Sequence, residues 1–367
     1  MSSNQAVLSG ILEAGKFIKV IQRAFPVIDD DQILVKAVAF AANPTDWKHA
    51  VYQIGHEGDI AGSDASGIVE QVGKNVKGFE VGDIVSSFMH GNYSTTRGAF
   101  SEYFIADPVT TIKYDKSQIK DTELPVGVTP SSTINSFEGA ASLTLSMTTV
   151  ALTFSDTFKV SYDKSKNANK SVLIWGGATS TGIIAIQVAK EVYGLNVITT
   201  ASKKNHEFLA SLGADQILDY NNSNVIEDVK KAANGSIAYA YDTVSNEETF
   251  QQTYDATEGS PEVILENLMN LSEDILKTDS SRKVTFNKLI AYTADGRTHH
   301  VFGQDFVATP ESLKNYNHFW NTIVPTIITT IKTPHLKVLE SGIETANEAF
   351  TLLYENKVSA EKVVFRS

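Results

Sequence analysis

The chain has 367 residues, with 31 Lys and Arg against 43 Asp and Glu for a formal net charge of −12, and it contains no cysteine. At roughly 100–200 residues per domain this length suggests two domains, and the acidic balance argues against nucleic acid or an anionic membrane surface as a partner. The missing thiols exclude disulfides, iron–sulfur clusters, a cysteine nucleophile and every zinc site built on thiolate.

The first ten residues lack the basic and long apolar regions of a signal peptide, and no later run reaches about 18 uninterrupted apolar residues, so a soluble, cytoplasmic protein is expected. The N-terminal third reads as strands. Residues 33–40 and 67–71 are β-branched or apolar runs, and VKGFEVGDIV (76–85) places turns at Gly78 and Gly82 between short alternating stretches. This spacing suggests a small barrel or sandwich. Residues 159–170, polar and rich in Lys and Asn, read as a surface loop. From Val172 the rhythm changes to VLIW, a helical stretch over 181–193, NVITT, a second helix before Gly213, ILDY and AYAYDTV. Alternating strands and helices imply a parallel sheet with helices on both faces. A further helix is expected over 344–356, followed by a strand over 362–365 whose place, in the sheet or in the barrel, the pattern leaves open.

GGATSTG (176–182) separates the strand 172–175 from an apolar helical run. Such a loop lets backbone amides at a helix N-terminus approach a pyrophosphate, because glycine permits a tight turn and the helix dipole favours an anion. The spacing departs from GxGxxG: with Gly177 as the first glycine and Gly182 as the last, Thr179 takes the middle position. An NAD site carries an acid about 20 residues further on to hold the ribose 2′-hydroxyl. Here the strand NVITT ends in Ala201, Ser202, Lys203 and Lys204, with no carboxylate before Glu207. A hydroxyl followed by two ammonium groups suits a 2′-phosphate, so NADPH is the expected cofactor.

NPTDWK (43–48), GSDASGIVEQVG (62–73), FEVGDIV (79–85), GAFSEY (98–103), EGAASLTLSMTTVAL (138–152), GGATSTG and LGADQILDY (212–220) together resemble the medium-chain dehydrogenase/reductase superfamily, in its zinc-free quinone oxidoreductase branch. Within it the chain is similar to fungal trans-acting enoyl reductases and to alcohol or aldehyde reductases. The resemblance implies an α/β protein: a GroES-like β-barrel domain over 1–140, a Rossmann doubly wound parallel sheet binding NADPH over 141–310, and a segment over 311–367 returning to the first domain, with a cleft between the two domains. GHEG (55–58) matches the zinc-ligand motif of the alcohol dehydrogenase relatives as a string, but the glycine those enzymes carry five residues on is Ile60 here. Counted from Gly62 it is Gly67, so the ligand position is GSD, with Ser63 where a histidine would be. No metal site is expected.

By the same resemblance Thr45, Asp46, Trp47 and Lys48 reach the cofactor from the first domain, although Asn43-Pro44-Thr45-Asp46 is equally good helix-cap chemistry. Gly177, Ala178, Thr179, Ser180 and Thr181 would cradle the pyrophosphate. Ser202, Lys203 and Asn205 would surround the 2′-phosphate, Tyr220 would pack by the adenosine phosphate, and Ser359 and Ala360 would give a late backbone contact. Thr148, Thr149, Tyr292, Thr293 and Ala294 would face the substrate. HHVFGQ (299–304) reads as a wall of the cleft, with His299 and His300 as surface histidines. Without a metal the hydride acceptor must already be electrophilic, such as an enone, a quinone or an aldehyde, and Tyr52 is the candidate proton donor. The alternative is an NADPH-binding partner of a synthase complex, acting in trans on carrier-bound chains, or a non-catalytic NADPH-binding regulator. A monomer or homodimer is expected in either case.

Overall fold

The computed structural model describes every residue except Met1, Ser2, Ala14, Gly15, Gln53, His56, Glu57 and Phe302, and only the backbone of Ser3–Glu13. His56 and Glu57 of GHEG therefore lie outside the described residues. The chain forms two compact units, one of residues 1–148, 292–307 and 328–367 and the other of residues 149–291 and 308–327. The division expected at 140/141 falls instead at 148/149, inside the helix Thr144–Leu152, where no turn marks it. Residues 292–307, expected in the nucleotide domain, cluster with the first unit.

The first unit opens with the antiparallel pair β1 (Ser3–Glu13) and β2 (Lys16–Ala24), which precede the first strand read from the sequence. Then follow β3 (Ile33–Ala41), β4 (Asp64–Val72), β5 (Ile84–Phe88), β6 (Tyr103–Ala106), β7 (Thr111–Tyr114) and β8 (Gly127–Thr129). β3 is apolar along nearly its whole length because it is covered on both faces. Its register against β4 shifts between Leu34 and Val35 and again between Ala37 and Ala39. Such irregularities bend a strand, and they let β3 pair with β4, β6 and a strand from the chain's far end.

The second unit carries six parallel strands, β9 (Ser171–Trp175), β10 (Asn196–Thr200), β11 (Gln216–Leu218), β12 (Ile237–Asp242), β13 (Val263–Asn267) and β14 (Val284–Asn287), in the order β11-β10-β9-β12-β13-β14. This is the doubly wound order whose direction reverses beside its first strand, the place where such sheets bind ligands. Every residue of β9 is buried, and Leu173, Trp175, Ile198, Val229, Phe250 and Leu265 share one core. Each such aliphatic or aromatic side chain contributes roughly 1.5–3 kcal/mol by leaving water. The loop over 159–170 is anchored in part by buried Asn167, which donates through Nδ2 to the carbonyls of Ser161 (2.7 Å) and Tyr193 (2.9 Å).

The chain then returns to the first unit with the antiparallel hairpin β15 (His299–Val301) and β16 (Gln304–Phe306), followed by β17 (His335–Val338) and β18 (Glu361–Arg366). β18 is the strand whose place the pattern left open. It runs antiparallel to β3, with Phe365 opposite Phe40, and parallel to β17, which pairs with β8. The rings of Phe40, Phe100 and Phe365 meet pairwise at 5.3 Å, so the last strand completes the core begun by the first third of the chain.

Candidate active site

In the second unit the loop after β9 is built for close approach. A Cβ on Gly177 would stand 2.2 Å from Thr199 Oγ1 on the neighbouring strand, and the Gly177 amide donates to the Thr200 carbonyl at 2.9 Å. Thr179 caps the helix Ser180–Glu191: its hydroxyl oxygen accepts from the Gly182 amide at 2.9 Å and donates to Thr243 Oγ1 at 2.9 Å. Thr243, just past β12, donates in turn toward the carbonyls of Trp175 (2.8 Å) and Gly176 (2.9 Å). It pins the loop at the point where the sheet order reverses, a role that no sequence signal announced. Ala178, Thr179, Ser180 and Thr181 are partly exposed, and the helix has no acid in its first turn. Its free amides thus present the positive end of a twelve-residue helix to an anion.

Beyond β10, Ser202 is half-buried, Lys203 and Lys204 are exposed on a 3-10 turn (Lys203–Asn205), and buried Asn205 donates to Ser202 Oγ at 3.3 Å. Tyr220, past the end of β11, is half exposed. Asp219 stands between them in sequence, and hydrogen bonds from Asn221 hold its carboxyl below the usual range.

In the first unit the helix Pro44–Val51 begins on a buried polar network. Asp46 is fully buried and accepts from the Asn43 amide (2.7 Å) and from Ser63 Oγ (2.7 Å). Burial pushes its carboxyl up to about 7 despite those bonds. Asp64 accepts from Asn43 Nδ2 (2.9 Å), the Leu145 amide (2.7 Å) and Lys362 Nζ (3.3 Å), and Lys362 also donates to Asn43 Oδ1. Ser63 and Asp64, the pair at the GSD position, are therefore engaged in internal bonds. Of the four residues 45–48, Thr45, Trp47 and Lys48 keep some exposure, whereas the carboxylate of Asp46 faces inward.

A cavity of about 280 Å³ lies in the same unit, lined in part by Phe88, His90, Tyr93, Tyr292, Asp295 and His299. Tyr292 OH lies 2.9 Å from Thr45 Oγ1 and 3.3 Å from His49 Nε2, and burial holds its phenol above the ordinary tyrosine range. Thr293 and Ala294 are buried in the 3-10 turn Ala291–Asp295. Thr148 is buried with no partner on its hydroxyl among the described residues, whereas Thr149 falls in the other unit. Tyr52 is 59% exposed at the end of the helix Pro44–Val51. Ser359 is exposed, and buried Ala360 has φ +58° with its carbonyl accepting from His335 at 3.1 Å. The reading of His299 as a surface residue is corrected: it is 4% exposed and bonded to Asp295 and His90. His300, by contrast, is exposed and paired with Asp305. Alternation along β15 turns one histidine inward and the next outward.

A doubly wound nucleotide-binding sheet with a helix-terminus cradle, joined in one chain to a mixed-sheet unit, defines a nicotinamide-dependent oxidoreductase class. The family profile "Alcohol dehydrogenase GroES-like domain" matches residues 29–116 and the profile "Zinc-binding dehydrogenase" matches residues 180–263. An uncharacterized protein of Saccharomyces cerevisiae, YCR102C, is 33% identical over 326 residues, covering 86% of this chain and 88% of its own. The trans-enoyl reductase TOXD of Cochliobolus carbonum is 32% identical over 306 residues, 81% of this chain and 94% of its own. Among solved structures, a quinone oxidoreductase of Pseudomonas syringae superposes with a TM-score of 0.71 at 17% identity, over 99% of this chain and 100% of its own. The chain belongs to the medium-chain dehydrogenase/reductase superfamily, with a GroES-like domain and a Rossmann domain. Among the described residues no helix is long and apolar enough to cross a membrane.

Proposed function

We propose that this protein is a zinc-independent reductase that uses NADPH to reduce an activated carbonyl compound, an enone, quinone or aldehyde. The observation that carries the reading is the end of β10, where Ser202, Lys203 and Lys204 occupy the positions at which an NAD site needs an acid. NADPH supplies the hydride. The loop and helix terminus over residues 178–181 would hold its pyrophosphate, Ser202 and Lys203 with Asn205 would bind the 2′-phosphate, and Tyr220 would pack by the adenosine phosphate. Thr45 and Lys48 remain the contacts proposed from the first unit with Trp47, while Asp46 fixes the turn that presents them. Ser359 and Ala360 are proposed to add a backbone contact. Zinc independence is supported by the absence of cysteine and by the engagement of Ser63 with Asp46.

Substrate is proposed to meet Thr148, Thr149 and Tyr292 with Thr293 and Ala294. Burial of Tyr292 and of the unpartnered Thr148 hydroxyl supports a pocket that orients a carbonyl by hydrogen bonding. The test is NADPH oxidation by the purified protein over a panel of enones, quinones and furan aldehydes. Turnover supports the reading, and silence from a folded, NADPH-bound protein defeats it. The similarity to TOXD favours one second reading, a trans-acting enoyl reductase working on carrier-bound chains. Turnover confined to acyl-carrier substrates would select it over the first.

A further inference from the structure

The cavity of the first unit contains a chain of titratable groups that the reductase reading does not use. His299 Nε2 lies 3.0 and 3.1 Å from the two carboxylate oxygens of Asp295, and His299 Nδ1 lies 3.0 Å from His90 Nδ1. Burial works to raise the Asp295 carboxyl, but hydrogen bonds from His299 and Arg297 outweigh it and hold the group below the ordinary range. Asp295 is thus an ionised acceptor, so His299 Nε2 carries the hydrogen. With the other nitrogen of His299 as the acceptor of the pair, His90 donates to it from Nδ1. That leaves a lone pair on His90 Nε2, which is buried and has no partner among the described residues. The His90 ring is fixed between Tyr292 (centroids 3.4 Å apart, 11° between planes) and Tyr93 (4.2 Å, 7°), with His49 edge-on at 5.7 Å.

A buried, oriented nitrogen without a partner, held in one tautomer by a carboxylate two groups away, is the arrangement of a general acid–base. We propose that His90 Nε2 exchanges a proton with the carbonyl oxygen of the substrate, and that His299 and Asp295 are positioning residues that set its tautomer. The proposal rests on the reductase reading. In the oxidising direction the Nε2 lone pair takes the hydroxyl proton of an alcohol: the O–H bond breaks, an N–H bond forms, and the hydride leaves carbon for the oxidised cofactor. Reduction is the reverse. Hydride adds to the electrophilic carbon, the π electrons pass to oxygen, and the proton on the His90 imidazolium moves to that oxygen, restoring the neutral ring. Solvent protonates Nε2 of the neutral ring only transiently, ahead of each reductive hydride step, and the Asp295 carboxylate, acting through His299, balances that charge. Burial, followed by the nearby His49, His299 and Arg297, holds the resting ring neutral, well below the ordinary histidine range. His49, held near 4 by burial, adds no resting charge, and the Tyr93 and Tyr292 rings cover the two faces.

The experiment compares His90→Phe, His90→Ala, Asp295→Asn and Tyr52→Phe with the unsubstituted protein on a reactive aldehyde. His90→Phe should lower kcat by about 10²–10⁴ with KM and NADPH affinity within about threefold, the range expected for loss of an acid–base group. Exogenous imidazole should restore part of the His90→Ala rate. Asp295→Asn should lower kcat and displace the pH profile. Nitrogen-15 NMR of the unsubstituted protein should show His90 with its proton on Nδ1 and none on Nε2. That readout does not depend on any variant folding. A proton on Nε2 at rest, or an unchanged kcat in folded His90→Phe, overturns the proposal while the reductase reading stands. So does a solvent isotope effect abolished by Tyr52→Phe and kept by His90→Phe. Inactivity of the unsubstituted protein over the whole carbonyl panel removes the reductase reading, and the proton transfer with it.

Discussion

A methyl group is enough to test the phosphate cradle. Gly177→Ala would place its Cβ 2.2 Å from Thr199 Oγ1, and Thr199 is fixed because its hydroxyl donates to the Ile174 carbonyl at 2.7 Å. The strand must give way, so the variant should lose about 1–3 kcal/mol of stability, as overpacked sites do, and bind NADPH more weakly. Calorimetry and fluorescence titration read the two effects separately. Lys203→Glu acts on charge alone, since Lys203 is exposed. It should weaken NADPH at least about tenfold, equivalent to about 1.4 kcal/mol, and leave NADH affinity unchanged; equal losses for both cofactors would show that Lys203 does not recognise the 2′-phosphate. These positions were legible because glycine and lysine have few reasons to stand where they do. His90 and His299 were not, since two histidines 209 residues apart carry no joint signal until the fold brings their Nδ1 atoms to 3.0 Å.

The helix Ser180–Glu191 shows what an element takes from its own sequence and what it takes from neighbours. Its apolar run and capping threonine are local, so its existence and start could be read directly. The tie from Thr179 to Thr243 is not local, because it joins two strands' ends across the reversal of sheet order. Thr179→Ala should therefore cost more than the ~1 kcal/mol of a lost cap, and Thr243→Val should weaken NADPH binding while leaving the helix cap intact. Thermal unfolding paired with NADPH titration separates these outcomes. Strands followed the same rule. β3 and β9 were visible as long apolar runs, whereas β8, β14 and β17 have only three or four residues each. Such short pieces become strands through their partners' hydrogen bonds, which is why the sequence offered no sign of them.

At the scale of the whole molecule, three buried acids set the response to pH. Burial raises Asp46 and Glu266 to about 7 and Asp242 to about 6, even though each accepts hydrogen bonds. Between the unfolded carboxyl range near 4 and these values the folded state binds more protons than the unfolded chain. These three acids then contribute a fall in stability as pH rises through about 5 to 8, opposed below about 6.5 by His49 and His90, which are buried neutral. Glu266 accepts from Thr153 Oγ1 at 2.7 Å and from Thr157 Oγ1, so Glu266→Gln keeps an oxygen acceptor there without the titration. That variant should be more stable at pH 8 by up to about 3 kcal/mol and should flatten the pH dependence of the second unit's unfolding transition. An equal slope in the variant would assign the effect elsewhere.

The sequence by itself determined the family, the two kinds of sheet, the glycine loop and the charge beside it. Those features depend on residues adjacent in the chain or repeated at short periods. Only the tertiary structure decided that β18 closes onto β3, that residues 292–307 belong with the first unit, and that Asp295, His299 and His90 form one chain. Each of these depends on contacts between segments far apart in sequence. Burial and tautomer follow from the neighbours that such contacts supply.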